Sequence, residues 1–379
     1  MQALHFGAGS IGRGFIGDLL YESGYDIIFV DTNSQLNEQI NRQGGYDIYA
    51  IENAYQRKFI PVKKALSPLT QRDDIIRQCV NADLITTAVW ADNLCKIAPL
   101  LLAGLQARQR AGKEKINVIV CENALFNGQL LRRELLTLGE EAVDELAAFP
   151  DTAVDRMVLT AQRDGKDVID VGVDYELVID RKALLDPQHQ PLRGAIYTDN
   201  LQKYLERKLY IINGGHAWAG FVGRVKGYDT MQQIFADTGL VAEIKESMRE
   251  TARLLHIKYA FPLAELEAYI QFVINRFSTP GIVDTVQRVC RSPVRKLAAG
   301  DRLTGPCEQC EAAGLPADYL VKGIAAALHY NDPDDDQSVA LQKYIAEHNV
   351  SQAITHFTGI QENTHLHDRI LFHYAEMMS

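Results

Sequence analysis

The sequence predicts an α/β protein in two parts: an N-terminal doubly wound parallel sheet with an antiparallel β extension, followed by a mostly α-helical C-terminal domain. Three observations carry this. A glycine-rich turn near the start lies between an apolar strand-like run and a helix-like run, continuous β-rich runs follow it, and beyond about residue 190 most segments take helical period. Domains of 1–192 and 193–379 are expected.

Residues 2–6 (QALHF) form a short apolar strand that runs into GAGSIGRG, with Gly7, Gly9 and Gly12 in Gly-x-Gly-x-x-Gly spacing. FIGDLLYESG follows, with Phe15, Leu19 and Leu20 on one helical face and Gly24 as its stop. The next apolar run, YDIIFVD, ends in Asp31, nineteen residues beyond Gly12. This is the pattern of a Rossmann-type unit that binds NAD. The turn Gly7, Gly9, Ser10, Ile11 and Gly12 lets the backbone approach a pyrophosphate at a helix N-terminus. Asp31 would accept hydrogen bonds from the adenosine ribose, and its charge favours NAD over NADP. Arg13 is a candidate to neutralise the pyrophosphate.

DLITTAV (83–89) and NVIVCEN (117–123) read as parallel strands covered on both faces. Their carboxyl ends would face the ligand, with Thr87, Ala88, Val89 and Trp90 near the cofactor and Glu122 and Asn123 near the reacting centre. Thr87 fits a purely structural strand end equally well. From 151 to about 190, short alternating strands around a DG turn suggest the antiparallel extension. LVAEIKESMRETARLLHIKY and PLAELEAYIQFVINRFS then have helical period. NDPDDDQS (331–338) reads as a solvated loop, GPCEQC as a surface turn rather than a metal or redox site, and His365 and His367 as structural residues of a strand or turn.

Hydrophobic residues make up 47% of the chain and charged ones 23%, the balance of a soluble globular protein. A net charge of -10 argues against non-specific binding to nucleic acid or anionic membrane, so an anionic ligand needs a local basic pocket. No apolar run reaches the length of a membrane span, and MQALHFGAGS reads as a strand and turn rather than a secretory leader. Six scattered cysteines do not form a disulfide framework. A cytoplasmic protein with reduced thiols is expected.

KLYIINGGHAWAG (208–220) sets Lys208, Asn213, His216 and two glycines in an otherwise apolar helix-like stretch. At helical pitch Asn213 lies about 140° and His216 about 80° round from Lys208, so the three share one face. Singly, each has a structural reading: a snorkelling lysine, a capping asparagine, a core histidine. Together with a dinucleotide domain they suggest chemistry. Hydride transfer from an alcohol needs a proton acceptor, which a lysine supplies if burial brings its pKa down from about 10.4. Amide N–H groups can stabilise the developing alkoxide. Gly214 and Gly215 would give ligands close access to the backbone.

K-x-x-x-x-N-x-x-H after the glycine turn, with CEN at a strand end, FPDTAVDRMV (149–158) and DTVQRVCRSPVRKL (284–297), resembles the polyol-specific long-chain dehydrogenase family over essentially the whole chain. The resemblance implies metal-independent, NAD-dependent interconversion of D-mannitol 1-phosphate and D-fructose 6-phosphate, with Lys208 as general base, Asn123 and Asn213 as oxyanion-stabilising amides and His216 positioning the substrate. It also implies polyol contacts from Arg288 and Lys296, and a monomer. Arg291 and Arg295 are either phosphate ligands or the charged outer face of a helix. Related activities on unphosphorylated mannitol or a hexuronate stay open, as does a silent dinucleotide-sensing protein, although such a sensor has no use for the lysine.

Overall fold

The computed structural model describes residues 1–139, 141–163, 166–279 and 284–377. They pack into two compact units, Met1–Tyr204 and Leu205–Ser379. Among its described residues the first contains eleven strands: β1 (Gln2–Phe6), β2 (Asp26–Val30), β3 (Gly45–Ala50), β4 (Gln56–Pro61), β5 (Lys64–Leu66), β6 (Leu84–Thr87), β7 (Ile116–Val120), β8 (Ala147–Ala148), β9 (Thr152–Arg163), β10 (Lys166–Asp180) and β11 (Ile196–Thr198).

Six of these form one sheet in the order β5-β2-β1-β6-β7-β8, with every pair parallel. Strand order reverses between β1 and β6, which is where a doubly wound sheet opens a ligand crevice. The apolar runs are explained by burial on both faces. Ala3, Ile27 and Phe29 pack into one core, while the alternating Leu4, Phe6, Ile28 and Val30 pack into another. Strand register places Leu4 between Ile28 and Ile85.

The antiparallel pair β9–β10 is present, and it belongs to a second sheet, β11-β10-β3-β4, in which β10 also pairs parallel with β3 and β11. Tyr46, Ile48, Ile60, Ile169 and Val171 of this sheet share the core that holds Phe15 and Leu19, so it covers the helix after the glycine turn. The β3–β4 hairpin was not anticipated from the sequence, and the expected Asp164–Gly165 turn lies outside the described residues.

Among the described residues, the regular elements of the second unit are helices, apart from an isolated bridge, Thr230 to Thr285. Its central helix, Gly214–Val225, is buried nearly all round, as a helix enclosed by others must be. It packs against the helices Thr238–Tyr259, Val286–Cys290 and Asp318–Leu328. Asp237 caps the first of these by accepting from the amides of Gly239 and Leu240, a contact worth about 1 kcal/mol.

Three local expectations are corrected here. The 331–338 segment is a solvated loop only in part: Asn331, Pro333, Asp334 and Asp336 are exposed, but Asp332 and Asp335 are buried, Asp332 accepting from the Tyr330 hydroxyl at 2.9 Å and Asp335 from the Ser292 amide at 2.6 Å. Cys307 and Cys310 lie buried in the helix Thr304–Ala312 rather than on a surface turn. His365 and His367 open the helix His365–Glu376, capped by Thr364. In each case the local polarity was outweighed by packing against residues distant in sequence.

Candidate active site

In the first unit a cleft of about 670 Å³ lies at the carboxyl ends of β1, β2 and β6, lined in part by Gly7, Gly9, Asp31, Ala88, Val89 and Trp90. Gly7 has φ +102°, a left-handed conformation that favours glycine, and a Cβ there would lie 2.3 Å from the Ala88 carbonyl oxygen. A Cβ at Gly12 would lie 1.9 Å from the Gly7 oxygen, so this glycine lets the turn fold on itself. Gly9 differs: no atom lies within 4 Å of the place its Cβ would take. That open space at the cleft wall is what close backbone approach by a phosphate requires.

Asp31 stands in the cleft with its carboxylate held by backbone. Oδ2 accepts from the Ala8 amide at 2.6 Å and Oδ1 from the Asn33 amide at 2.8 Å. Each oxygen keeps a lone pair for a ribose hydroxyl. The other turn residues are committed to structure. The Ser10 hydroxyl pairs with that of Thr160 at 2.9 Å, Ile11 packs on the core, and Arg13 Nε donates to the Ala8 oxygen at 2.8 Å. Arg13 does not line the cleft, whereas Arg72 and Lys96, which the motif does not mark, do. They come from the helices Arg72–Asn81 and Leu94–Arg110, and only the packing of those helices brings them in.

Thr87 is fully buried, and its hydroxyl donates to Glu122 Oε2 at 2.8 Å, so it serves the strand end. The Val89 amide donates to Glu122 Oε1, also at 2.8 Å. Glu122, expected near the reacting centre, is therefore turned back to clamp β6 against the end of β7. Burial raises its carboxyl pKa, against the hydrogen bonds from Val89 and Thr87. Asn123 follows in the exposed turn after β7. Asn127, not singled out in the sequence, is buried and anchors this turn to Thr152 and the Glu122 carbonyl.

In the first unit the glycine turn leads into a π-helical segment, Gly12–Gly17, and Arg156, its side chain 5% exposed, donates to the Gly14 carbonyl at 3.0 Å and to Asp18 at 2.7 Å.

The stretch that carries Lys208 in the second unit is also not a simple α-helix. Lys208–Asn213 is π-helical, with the Gly214 amide reaching back to the Leu209 carbonyl, five residues away. A π-turn holds more residues than an α-turn, so Asn213 lies closer in angle to Lys208 than the roughly 140° of a regular α-helix. Lys208 is 9% exposed, while Asn213 and His216 are half-buried. The two glycines are a correction: a Cβ at Gly215 would lie 2.1 Å from Met248 Cε, and one at Gly214 would lie 2.8 Å from the Arg302 oxygen. The space a side chain would take at each is filled by protein.

His216 stacks on Phe277, ring centres 4.1 Å apart, and its Nε2 lies 3.6 Å from Asp284 Oδ2. Burial lowers its pKa to about 4, Asp284 opposing and Arg288, Arg276 and Lys296 adding to the shift. The ring is neutral at pH 7. Asp284 also accepts a two-pronged contact from Arg288, at 2.5 Å on each oxygen. Asp284 thus links the histidine to the cationic segment, a role its place in DTVQR does not reveal. Within that segment, Lys296 is 5% exposed, donates to the Arg291 carbonyl, and has its pKa lowered to about 8 by burial first and by Arg302 and Arg295 next. Arg291 and Arg295 are exposed.

A dehydrogenase architecture of this kind has known counterparts. The profile described as the mannitol dehydrogenase Rossmann domain matches residues 1–190, and that of the mannitol dehydrogenase C-terminal domain matches residues 200–378. The chain belongs to the mannitol dehydrogenase family. It is similar to the mannitol-1-phosphate 5-dehydrogenase of Geobacillus thermodenitrificans, 36% identical over 371 residues with 96% of each chain covered. The enzyme of that name from Bacillus velezensis is 37% identical over 375 residues, covering 98% of this chain and 99% of the relative. Among solved structures, substrate-free D-sorbitol dehydrogenase superposes with TM-score 0.85 at 16% identity, over 100% of this chain and 93% of the other. Pseudomonas fluorescens mannitol 2-dehydrogenase, in ternary complex with NAD and D-mannitol, gives 0.73 at 17% identity, over 100% and 92%. At these identities the two structures attest the fold.

Proposed function

We propose that the chain catalyses the NAD-dependent, metal-independent interconversion of D-mannitol 1-phosphate and D-fructose 6-phosphate. The observation that carries this is 34–37% identity, over 95–100% of the chain, to enzymes named mannitol-1-phosphate 5-dehydrogenase. Residues 1–192 hold the cofactor and 193–379 handle the proton and the substrate. The cleft fits NAD: Gly9 leaves room for a pyrophosphate, and the Asp31 carboxylate has acceptor capacity for a ribose. NAD, when bound, supplies the hydride acceptor.

Lys208 takes the proton of the substrate hydroxyl in oxidation and returns it in reduction. Its burial supports this role, because it keeps the amine apart from bulk water. Asn213 and Asn123 donate to the oxygen as charge develops. Neutral His216, braced by Phe277 and Asp284, orients the polyol by hydrogen bonding rather than by charge. Arg288 and Lys296 contact the polyol, and the exposed Arg291 and Arg295 present guanidinium forks to the phosphate.

The protein works as a cytoplasmic monomer on a small sugar phosphate, with no nucleic-acid or membrane partner. Its net charge of -10 and its six free thiols support that setting, and among the described residues no helix is long and apolar enough to cross a membrane. The deciding experiment follows NADH oxidation with fructose 6-phosphate, fructose and fructuronate in parallel. Turnover of the phosphate well above the other two is expected, and turnover of fructose or fructuronate alone overturns the substrate assignment. Light scattering on the purified chain tests the monomer.

A further inference from the structure

Lys208 ends a run of three consecutive charged residues, Glu206, Arg207 and Lys208, all buried. Buried charge is costly unless it is paired, so such a run needs a built environment. Glu206 accepts from Lys258 Nζ at 2.7 and 3.0 Å, and Lys258 also donates to Gln309 at 2.7 Å. Arg207, 3% exposed, donates to Glu265 Oε1 at 3.0 Å. Its guanidinium lies 5.1 Å from the ring centre of Phe261 and 4.3 Å from that of Tyr269. This cage ties the residue directly before the π-turn to the helix Leu263–Phe277 and the segment leading into it.

A π-turn is not the backbone's default, and relaxing it to α-helical register would carry Asn213 away from the lysine. We propose that Arg207 is a positioning residue for proton transfer: seated against Phe261 and Tyr269 and paired with Glu265, it holds Lys208–Asn213 in the π-helical register that turns Asn213 towards the face of Lys208. This rests on the assignment of Lys208 as the acid–base group.

The test compares Arg207→Met, Arg207→Lys and Lys208→Ala in the full chain, reading kcat, KM for NADH, the pH profile of kcat and the folded fraction by circular dichroism. Arg207→Met is expected to lose about 100-fold in kcat, the scale of a small misplacement of catalytic groups. Its KM for NADH should stay unchanged, its pH profile should move, and Arg207→Lys should recover part of the rate. A folded Arg207→Met with wild-type kcat and pH profile overturns the proposal, as does a rate loss that follows the folded fraction with the profile unmoved. Should Arg207→Met not fold, Glu265→Gln takes its place: a smaller rate loss with a displaced profile supports the clamp, and an unmoved profile overturns it. Lys208→Ala separates the two readings. An active Lys208→Ala sinks the assignment of the base, whereas an inactive one beside a normal Arg207→Met sinks the positioning role alone.

Discussion

The two π-turns, Gly12–Gly17 and Lys208–Asn213, share a way of being held and differ in what they expose. Beside each, an arginine whose side chain is at most 5% exposed lies against aromatic rings and pairs with a carboxylate: Arg156 with Phe15, Tyr175 and Asp18, and Arg207 with Phe261, Tyr269 and Glu265. The glycine turn before the first leaves backbone open at Gly9, while the glycines after the second are packed by Met248 and the Arg302 carbonyl. One distortion therefore follows open backbone in a cleft, and the other precedes glycines enclosed by protein. Similar sequence signals, glycines beside a helix, have opposite physical purposes.

The sharpest test of the side-chain role is Lys208→Ala. Turnover should fall about 1,000-fold, within the range for loss of a general acid–base group, while NADH affinity measured by fluorescence titration is unchanged. Near-normal turnover would mean that the proton goes elsewhere.

The glycine contrast can be broken directly. Gly9→Val should fold normally and weaken NADH binding by about 10- to 100-fold, because the new side chain enters open cleft space. Gly215→Val should do the reverse, leaving NADH affinity intact and losing about 1–3 kcal/mol of stability in urea melts, since Met248 must yield. Two variants with the same phenotype would erase the distinction.

A smaller effect comes from Lys296, whose pKa lies at about 8. Above that pH it loses its charge, so KM for fructose 6-phosphate should rise by up to about 10-fold while KM for NADH stays level. Lys296→Arg should remove the break, because a guanidinium stays charged.

The smallest effect is in stability. The folded-state pKa of His216, about 4, lies below its ordinary 6.5, so the unfolded chain takes up the proton first as pH falls. The histidine's contribution is complete above pH 6.5 and is lost as pH drops through 6.5 towards 4. Between pH 7 and 6 the loss is roughly 0.7 kcal/mol. His216→Gln should abolish that part of the difference between urea midpoints, and an unchanged difference would show that His216 titrates normally.

Much of the first unit was legible because its signals are local. Gly7, Gly9, Gly12 and Asp31 sit where a strand, a tight turn and a second strand must put them, and the alternation of Ala3 with Leu4 predicts a sheet covered on both faces. Asp284, Arg72 and Lys96 carried no such signal. Their places depend on which helices pack together, and the Asp332 and Asp335 carboxylates show the same limit, since their charge reads as solvent exposure until Tyr330 and Ser292 are seen to satisfy it.

Sequence by itself determined the two-part architecture, the dinucleotide turn and the roll of Lys208, Asn213 and His216, because hydrophobic period and turn chemistry act over a few neighbouring residues. Only tertiary structure decided that Lys208–Asn213 takes π-helical register, that Gly214 and Gly215 are filled and Gly9 open, and that Thr87 and Glu122 hold each other. Those outcomes turn on a helix register and on contacts between residues far apart in the chain, where the energy of packing, and not local propensity, chooses the state.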